Sequence, residues 1–494
     1  MSRPLSCSDP KFNLFNGGLG CTVNGCGQYN KCLTVLNDKF IETTGCCRIK
    51  ILEPNFVTVF VYMLIVPVIG IASLGALGGT SLQIIFLKGG IVKRPFLQTI
   101  LNFDASISGD ITACLMISAQ IVNMVFIFLQ NHPDVQERPV INYDIAIIYT
   151  LAIPVSLCLG SDLANFLPLL PLLSFQILFF IAISPVLIYY ARRQNELEDL
   201  KDQNSDLAKE TALLTMSQVQ IQNQNEYTES QAKIYKQLYA EQCQRFPLVP
   251  ILITLGNFVV NELLLLLRSS PYQYSPYFFP DGDINNKNRD KGPCEPWNFY
   301  MVLLLAGVNF LITSCVYFFM RKKELLKNTV NFYPNERYFT PIRRFFFVYL
   351  AGFLTGFVAG FVGMAAGLTM VVTMVQFKLI AAVAGATANY CYFLICIQVF
   401  TNFLVGASQS QGLGVGDQFF FYALGVIAVL VFTNYGYRLL QRYNIGHIIF
   451  YIDFAIVVLN IIGNIVWGIE NGYRDGFRSL EQQPSTCGNY VLDN

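Results

Sequence analysis

The sequence predicts an all-α polytopic membrane protein with two inverted repeats of transmembrane helices, each containing a broken, glycine-rich half-helix. Composition, long apolar runs and two glycine-rich interruptions predict this fold. The 494 residues are 53% hydrophobic and 13% charged, whereas an average soluble protein carries about 25% charge. The formal net charge is +1, and no basic stripe follows one face, so the pattern excludes a nucleic-acid partner. The lipid bilayer is the partner that this composition implies.

Apolar runs follow one another from residue 54 to residue 470. About 20 apolar residues cross a hydrocarbon core of ~30 Å as a helix. The runs lie at 54–72, 72–88, 96–130, 142–160, 163–191, 247–267, 297–321, 344–364, 366–380, 381–406, 417–436 and 446–468. The run 96–130 is too long for one straight span and contains Asp104 and Asp110. We therefore expect it to kink, re-enter or tilt near Ser108 and Gly109.

Two runs combine glycine and other small residues with membrane-grade hydrophobicity, Gly70–Leu87 and Gly352–Gln376. A break in a transmembrane helix frees backbone groups that lipid cannot satisfy, so it persists only where protein or a wet cavity covers it. Paired breaks in two halves are typical of the central site of a transporter. We divide the membrane region into a first repeat at 54–191, linking helices with an exterior loop at 247–343, and a second repeat at 344–470.

Basic clusters predict the orientation, because Lys and Arg collect on the cytosolic side of short loops. The clusters are Arg192-Arg193, Arg321 to Lys323, Arg343-Arg344 and Arg438 to Arg442. This assignment places the segment 1–53, the loop 268–296 and the tail 471–494 outside, although Lys88, Lys93 and Arg94 then also fall outside. It makes 192–246 a cytosolic polar helical connector. A plasma membrane or an endomembrane is the favoured location.

Cysteines concentrate in the segments assigned to the exterior. Eight of the 14 cysteines are candidates for disulfides, and we expect most of the six in the N-terminal segment to be paired, since a short glycine-rich segment with little apolar content needs cross-links. The candidates are Cys7, Cys21, Cys26, Cys32, Cys46, Cys47, Cys294 and Cys487. Metal binding is the alternative for the adjacent Cys46 and Cys47, but the spacing from Cys21 to Cys32 lacks a C-x2-C knuckle and no histidine is near. We predict neither a metal nor a cofactor.

The connector 192–246 has leucines at heptad-like spacing, but polar residues interrupt the pattern. The leucines include Leu197, Leu200, Leu207 and Leu214, and the interruptions are Asn204, Thr211 and Gln218. Two interpretations stay open. The connector is either a solvated helix that joins two spans or a helix that binds a membrane-protein partner or a second copy of the chain.

Two motifs resemble the eukaryotic branch of the sulfite exporter TauE/SafE family. His132-Pro133, followed by Pro139 to Ala146, reads like its loop-to-helix signature, and Gly356 to Gly367 looks like its glycine-rich second repeat. The run Gly385 to Ala388 resembles the Ala-Thr-rich segment after that repeat, and the loop with Cys294 before Trp297 resembles its exterior loop. The resemblance covers about residues 54–470. It implies an ion-coupled, inverted-repeat transporter of small sulfur-containing anions such as sulfite or organosulfonates.

An anion at the membrane midplane would bind backbone N–H groups at half-helix N-termini, where the helix dipole is positive. The predicted substrate-binding residues are Gly78, Gly79, Thr80, Ser81, Gly363, Gly367, Thr369, Thr387 and Asn389. The small residues among them would alternatively serve only to let helices approach closely. Asp104 and Asp110 are the predicted ion-coupling groups. Glu262 and Lys378 also lie in or near apolar runs, where a charge must face protein or water.

Enzymatic function has little support in the sequence. The chain contains two histidines, His132 and His447, and no Gly-x-x-x-x-Gly-Lys-Ser/Thr loop, so it offers neither a histidine cluster nor a phosphate loop. We therefore expect no catalytic residues. The alternative to a transporter is a membrane scaffold or complex subunit that retains the fold without transporting.

Overall fold

The structure is a computed structural model whose described part is mostly helical. It describes residues 12–19, 30–36 and 42–49 and, apart from short gaps, 105–203, 229–269, 296–330, 337–407 and 415–443, with isolated positions elsewhere. The described helices are α1 (Ala105–Leu129), α2 (Tyr143–Phe166), α3 (Leu169–Gln203), α4 (Glu229–Gln242), α5 (Leu248–Ser269), α6 (Pro296–Thr329), α7 (Ile342–Val362), α8 (Ala366–Gln376), α9 (Ala381–Ala407) and α10 (Val415–Tyr443).

The cysteine-rich segment contains three strands, which the prediction of an all-α chain did not include. They are β1 (Phe12–Leu19), β2 (Asn30–Leu36) and β3 (Glu42–Ile49), and they form one antiparallel sheet in the order β1-β3-β2. The register of β2 and β3 places Cys32 opposite Cys46. The side chains of the eight cysteines predicted to form disulfides lie outside the described residues, so their pairing stays a prediction.

Five of the described helices are long and apolar enough to cross a membrane. They cover Tyr143–Ala164, Leu170–Arg193, Leu248–Leu265, Phe299–Thr329 and Ile342–Phe361, at the predicted runs 142–160, 163–191, 247–267, 297–321 and 344–364. The observed architecture is therefore that of an integral membrane protein. Within the run 96–130 the structure describes one helix, α1, which passes through Ser108 and Gly109; residues 96–104 lie outside the described residues, so the expected kink or tilt stays a prediction.

Helix α2 is the central helix of the bundle. In its spanning window 72% of the residues are buried, against 28% to 33% in the other four spans. Every residue from Ile145 to Tyr149 is fully buried, and α2 packs against α5, α6, α7 and α9. The side chain of Asn142 caps the first turn by accepting a hydrogen bond from the backbone N–H of Ile145, which satisfies a donor that the helix itself leaves open.

Helices α2 and α7 run parallel at very close range, because glycines lie along their contact. Gly352 lies against Tyr149 and Ala152, and Gly356 lies against Ile153 and Ser156. Further along, Gly360 meets Leu157 and Ser161, while Gly160 of α2 meets Phe357 and Phe361. The residue numbers of the contacting positions rise together along α2 and α7, so the two helices run in the same direction. A stripe of glycines spaced by four residues lets two helix backbones touch, and we call this contact the glycine seam.

Helix α8 is a separate, short helix that folds back beside α7. The Cα of Tyr149 lies 3.4 Å from a Cβ built on Gly352, and the Tyr149 hydroxyl lies 2.6 Å from Thr373 Oγ1. A single straight helix would place Gly352 and Thr373 about 30 Å apart, at ~1.5 Å per residue. The tyrosine side chain cannot bridge that distance. Helices α7 and α8 therefore do not continue one another in a straight line; Gly363, the predicted position of the break, lies outside the described residues.

Candidate functional site

A buried cluster of amide and hydroxyl side chains joins α1, α9 and the start of α2. Asn389 lies at its centre. Its Oδ1 accepts hydrogen bonds from Gln120 Nε2 at 3.2 Å and Asn123 Nδ2 at 3.3 Å, and its Nδ2 donates to the Gly385 carbonyl at 2.9 Å. Gln120, Asn123 and Asn389 are each at most 2% exposed. Buried amides with partners fix the relative position of two helices, here α1 and α9.

Thr387 connects this cluster to the loop-to-helix motif before α2. Its hydroxyl accepts a hydrogen bond from the backbone N–H of Asn142 at 2.9 Å and donates to the Val383 carbonyl at 2.7 Å. Because the Asn142 side chain also caps α2, α9 and the N-terminus of α2 share one hydrogen-bonded junction. We call Gln120, Asn123, Asn142, Thr387 and Asn389 together the polar cluster.

The polar cluster contains one buried polar atom without a hydrogen-bond partner among the described residues, Gln120 Oε1. A buried carbonyl oxygen without a donor is destabilising by about 1–3 kcal/mol. The Thr387 hydroxyl and the Asn389 side-chain N–H donate to carbonyl groups of their own helix. The orphaned atom of the cluster, Gln120 Oε1, is an acceptor.

The structure brings together only some of the predicted binding residues. Thr387 and Asn389 both belong to the polar cluster, whereas Gly367 and Thr369 lie in the first turn of α8; α8 packs against α9. Gly367 is buried and Thr369 is half-buried. The other predicted residues Gly78, Gly79, Thr80, Ser81, Gly363 and Asp104 lie outside the described residues, as does the side chain of Asp110 in α1. Their roles stay predictions.

A second set of amides lies between α2, α5 and α6. Pro154 lies inside α2 and has no N–H to donate to the Thr150 carbonyl one turn earlier. Asn257 Nδ2 of α5 donates to that carbonyl instead, at 2.9 Å. One turn further along α5, Asn261 and Asn309 of α6 exchange side-chain hydrogen bonds of 3.2 and 2.5 Å. The Asn257 contact holds α5 to the central helix, and the paired amides of Asn261 and Asn309 hold α6 to α5. Lipid offers no hydrogen-bond partner to such groups.

Ionic contacts collect at the end of the bundle where α2 and α7 begin and α6 ends, which we call the basic end. Lys327 Nζ forms a 2.6 Å ion pair with Asp144 in the first turn of α2. Glu324 accepts hydrogen bonds from the backbone N–H of Phe339 at 2.9 Å and from Thr340 Oγ1 at 2.6 Å. The hydrogen bonds to Glu324 join the segment before α7 to α6. The ion pair of Lys327 with Asp144 joins α6 to α2.

Helix α4 lies on the basic end. Glu241 forms a 2.7 Å ion pair with Lys323 of α6, and the Tyr239 hydroxyl donates to Glu137 at 2.8 Å. This hydrogen bond, together with burial, raises the pKa of Tyr239, and burial raises the pKa of the nearby Cys243 thiol. Part of the predicted polar connector therefore packs on the membrane bundle through specific contacts.

Our reading of the sequence missed five of the residues that make these contacts. They are Gln120, Asn123, Asn257, Asn261 and Asn309. The available signal was the spacing of amide side chains within apolar runs, three apart in α1 and four apart in α5, which puts each pair on one helix face. An amide on the inner face of a membrane helix predicts an interhelical hydrogen bond.

Comparison with known proteins gives no functional assignment for this chain. No protein-family model, curated protein or solved structure matches the chain.

Proposed function

We propose that this chain is an ion-coupled membrane transporter of small anions, of the sulfite or organosulfonate class, built from two inverted repeats. The observation that carries the proposal is helix α8, a short apolar helix that folds back beside α7, where Thr373 lies 2.6 Å from the hydroxyl of the buried Tyr149. Broken helices of this kind are typical of transporter binding sites, because their open backbone groups require protein, water or a ligand as partners.

The length of α8 supports this proposal. Its 11 residues span about 16 Å at ~1.5 Å per residue, roughly half of a ~30 Å hydrocarbon core. We infer that its N-terminus lies within the membrane thickness, next to the predicted break at Gly363. The first-turn N–H groups around Gly367 have no partners within the helix and carry the positive end of its dipole. An anion is a suitable partner for such groups.

The substrate class and the coupling groups rest on the sequence. The motifs at 132–146 and 356–367 resemble the sulfite exporter family, which suggests a small sulfur-containing anion. Asp104 and Asp110 are our candidates for ion coupling, because a carboxylate within an apolar run is costly unless it has a function or a partner. The first repeat would supply Gly78 to Ser81 opposite Gly363 in the inverted arrangement.

A non-transporting scaffold or complex subunit is the second candidate function. It is favoured by one specific observation, namely that the Thr387 hydroxyl and the Asn389 amide donate to carbonyl groups of α9 itself. Donors that are engaged within α9 are not available to an anion in this arrangement, while the oxygens of the same two side chains accept hydrogen bonds from α1 and from Asn142 and so join the helices. The polar face of α4 on the basic end would then serve as a surface for a partner protein.

Flux measurements distinguish the two functions. We expect purified protein in proteoliposomes to move labelled sulfite or a labelled organosulfonate when a pH gradient is imposed. Flux no greater than in empty vesicles, for every anion of this class, would contradict the transporter and favour the scaffold.

One substitution tests the proposed role of Asp110 in ion coupling. Asp110→Asn nearly conserves shape but cannot cycle between protonated and charged states, so we expect flux to be lost or to become independent of pH. Glu196→Gln is the matched control, because Glu196 lies in the exposed, polar end of α3. Unchanged flux and pH dependence in a folded Asp110→Asn protein would remove Asp110 from the mechanism.

A further inference from the structure

Glu262 of α5 is a buried carboxylate in the part of the bundle where α5 meets α2 and α6. Its residue is 7% exposed, and it directly follows Asn261, whose amide is paired with Asn309. Neither Oε1 nor Oε2 of Glu262 has a hydrogen-bond donor within reach among the described residues. The amides nearby are engaged elsewhere, since Asn257 Nδ2 donates to the Thr150 carbonyl.

A second buried glutamate of the same chain provides the contrast. Glu324 is 3% exposed, but its Oε2 accepts one hydrogen bond from a backbone N–H and one from a hydroxyl. Donors of this kind stabilise a carboxylate in its charged form. Burial alone therefore does not distinguish the two glutamates. They differ in the donors around them, which Glu324 has and Glu262 lacks.

The ionisable groups on the helices packed against α5 offer Glu262 no compensating charge among the described side chains. On α2, Cys158 packs beside Leu265, and Asp162 lies one turn further along the same face and has interactions of its own. The stretch of α6 from 301 to 314 contains no ionisable residue. On α9, Tyr390 shares a hydrogen bond with Thr254, two turns of α5 away from Glu262. Asp162 has the same sign of charge as an ionised Glu262 and would oppose it.

We propose that Glu262 is a proton-binding site in the membrane interior and holds its proton at neutral pH. An ionised carboxylate without donors or a counter-charge is costly at membrane depth, whereas the neutral acid is not. The orphaned atoms of this part of α5 are all oxygens, namely both Glu262 oxygens and Asn257 Oδ1. A proton on either Glu262 oxygen removes a charge that the described surroundings do not compensate. The site does not depend on the transport proposal, because it rests only on the surroundings of Glu262 in the bundle.

Infrared difference spectroscopy of the protein in phosphatidylcholine vesicles tests the proposal directly. A protonated carboxylic acid has a carbonyl stretch that is separate from those of carboxylates and amides. We expect the wild-type spectrum at neutral pH to contain one such carboxyl more than the spectrum of Glu262→Gln. Identical spectra in this region would overturn the proposal.

Chemical labelling gives an independent readout. Dicyclohexylcarbodiimide is apolar and reacts with protonated carboxyl groups within membranes; the acid adds across the carbodiimide, and the adduct rearranges to an N-acylurea with no leaving group. Mass spectrometry should find this adduct on the peptide with Glu262 and not on the peptide with Glu324. Labelling of Glu324 with none on Glu262 would contradict the assignment.

Folding of the variants provides the control. Glu262→Gln keeps the shape and neutrality of the protonated acid, so we expect it to unfold at the same detergent concentration as the wild type. Glu324→Gln replaces a charged acceptor of two hydrogen bonds, so we expect it to unfold earlier. A Glu262→Gln protein that fails to fold would contradict the proposal, because the neutral state is the one that we assign.

Discussion

The glycine seam gives the sharpest prediction about how the bundle is held together. In Gly356→Ala, the new Cβ would lie 2.9 Å from the Ile153 carbonyl oxygen and 3.0 Å from the Ile153 Cα, and would also clash with Ser156 Oγ. Two of these atoms belong to the backbone of α2 and cannot rotate away. The helices must separate, and overpacking of this kind costs about 1–3 kcal/mol.

The chain contains a matched control for helix propensity. Gly307 lies inside α6, and a Cβ built there meets nothing within 4 Å. Both substitutions gain roughly 1 kcal/mol, because alanine favours a helix more than glycine does. The difference between Gly356→Ala and Gly307→Ala therefore isolates the contact with α2. A difference of about 2 kcal/mol is a factor of about 30 in the ratio of folded to unfolded protein.

Titration with sodium dodecyl sulfate, followed by circular dichroism of the purified protein, measures this difference. We expect Gly307→Ala to unfold at or above the wild-type midpoint and Gly356→Ala well below it. Gly352→Ala should fall between them, because its Cβ meets the Ala152 Cβ at a milder 3.2 Å. If Gly356→Ala and Gly307→Ala unfold together, backbone contact between α2 and α7 is not what limits this position.

Three further predictions concern other contacts. Lys327→Met leaves Asp144 without its ion pair and should lower the free energy of unfolding by about 3–5 kcal/mol; adding Asp144→Asn should recover most of the loss in the same titration, and strictly additive losses would contradict the pair. Asn257→Leu strips the Thr150 carbonyl of its donor at a cost of about 1–3 kcal/mol. That cost should shrink when Pro154→Ala restores the backbone N–H, and an equal cost in both backgrounds would reject the explanation. Cys32 and Cys46 face each other across β2 and β3, at a typical Cα separation of ~4.5–5.5 Å, which a disulfide can span; thiol labelling of unreduced protein should miss both, and labelling of both would rule the cross-link out.

Spans were predictable from the sequence because hydropathy alone determines them. Helices α2, α3, α5, α6 and α7 fall at predicted runs, and α7 and α8 are two separate helices within the region where the sequence predicts an interruption. These features depend on a local property, the solubility of a segment in lipid. The strand Glu42–Ile49 carries no comparable local signal, so our reading left that segment without secondary structure.

The partners of polar residues were harder to predict, because they come from distant parts of the chain. Thr387 and Asn389 were identified as polar groups in an apolar run, but Gln120 and Asn142 lie about 250 residues away. A buried amide needs a hydrogen-bond partner, but the sequence around it does not indicate which residue that partner is. The Asn257 contact shows the same limit, since it depends on a carbonyl that Pro154 leaves open on another helix.

The glycine seam also bears on how the protein would move. Two helices in contact at three glycines of one helix and one glycine of the other cannot slide past one another or change their crossing angle without a clash. Helices α2 and α7 must then travel as one rigid body through any cycle that opens the bundle first to one side of the membrane and then to the other. The pair of α2 and α7 would then be the fixed frame of such a cycle, and any movement would have to take place between this pair and the other helices.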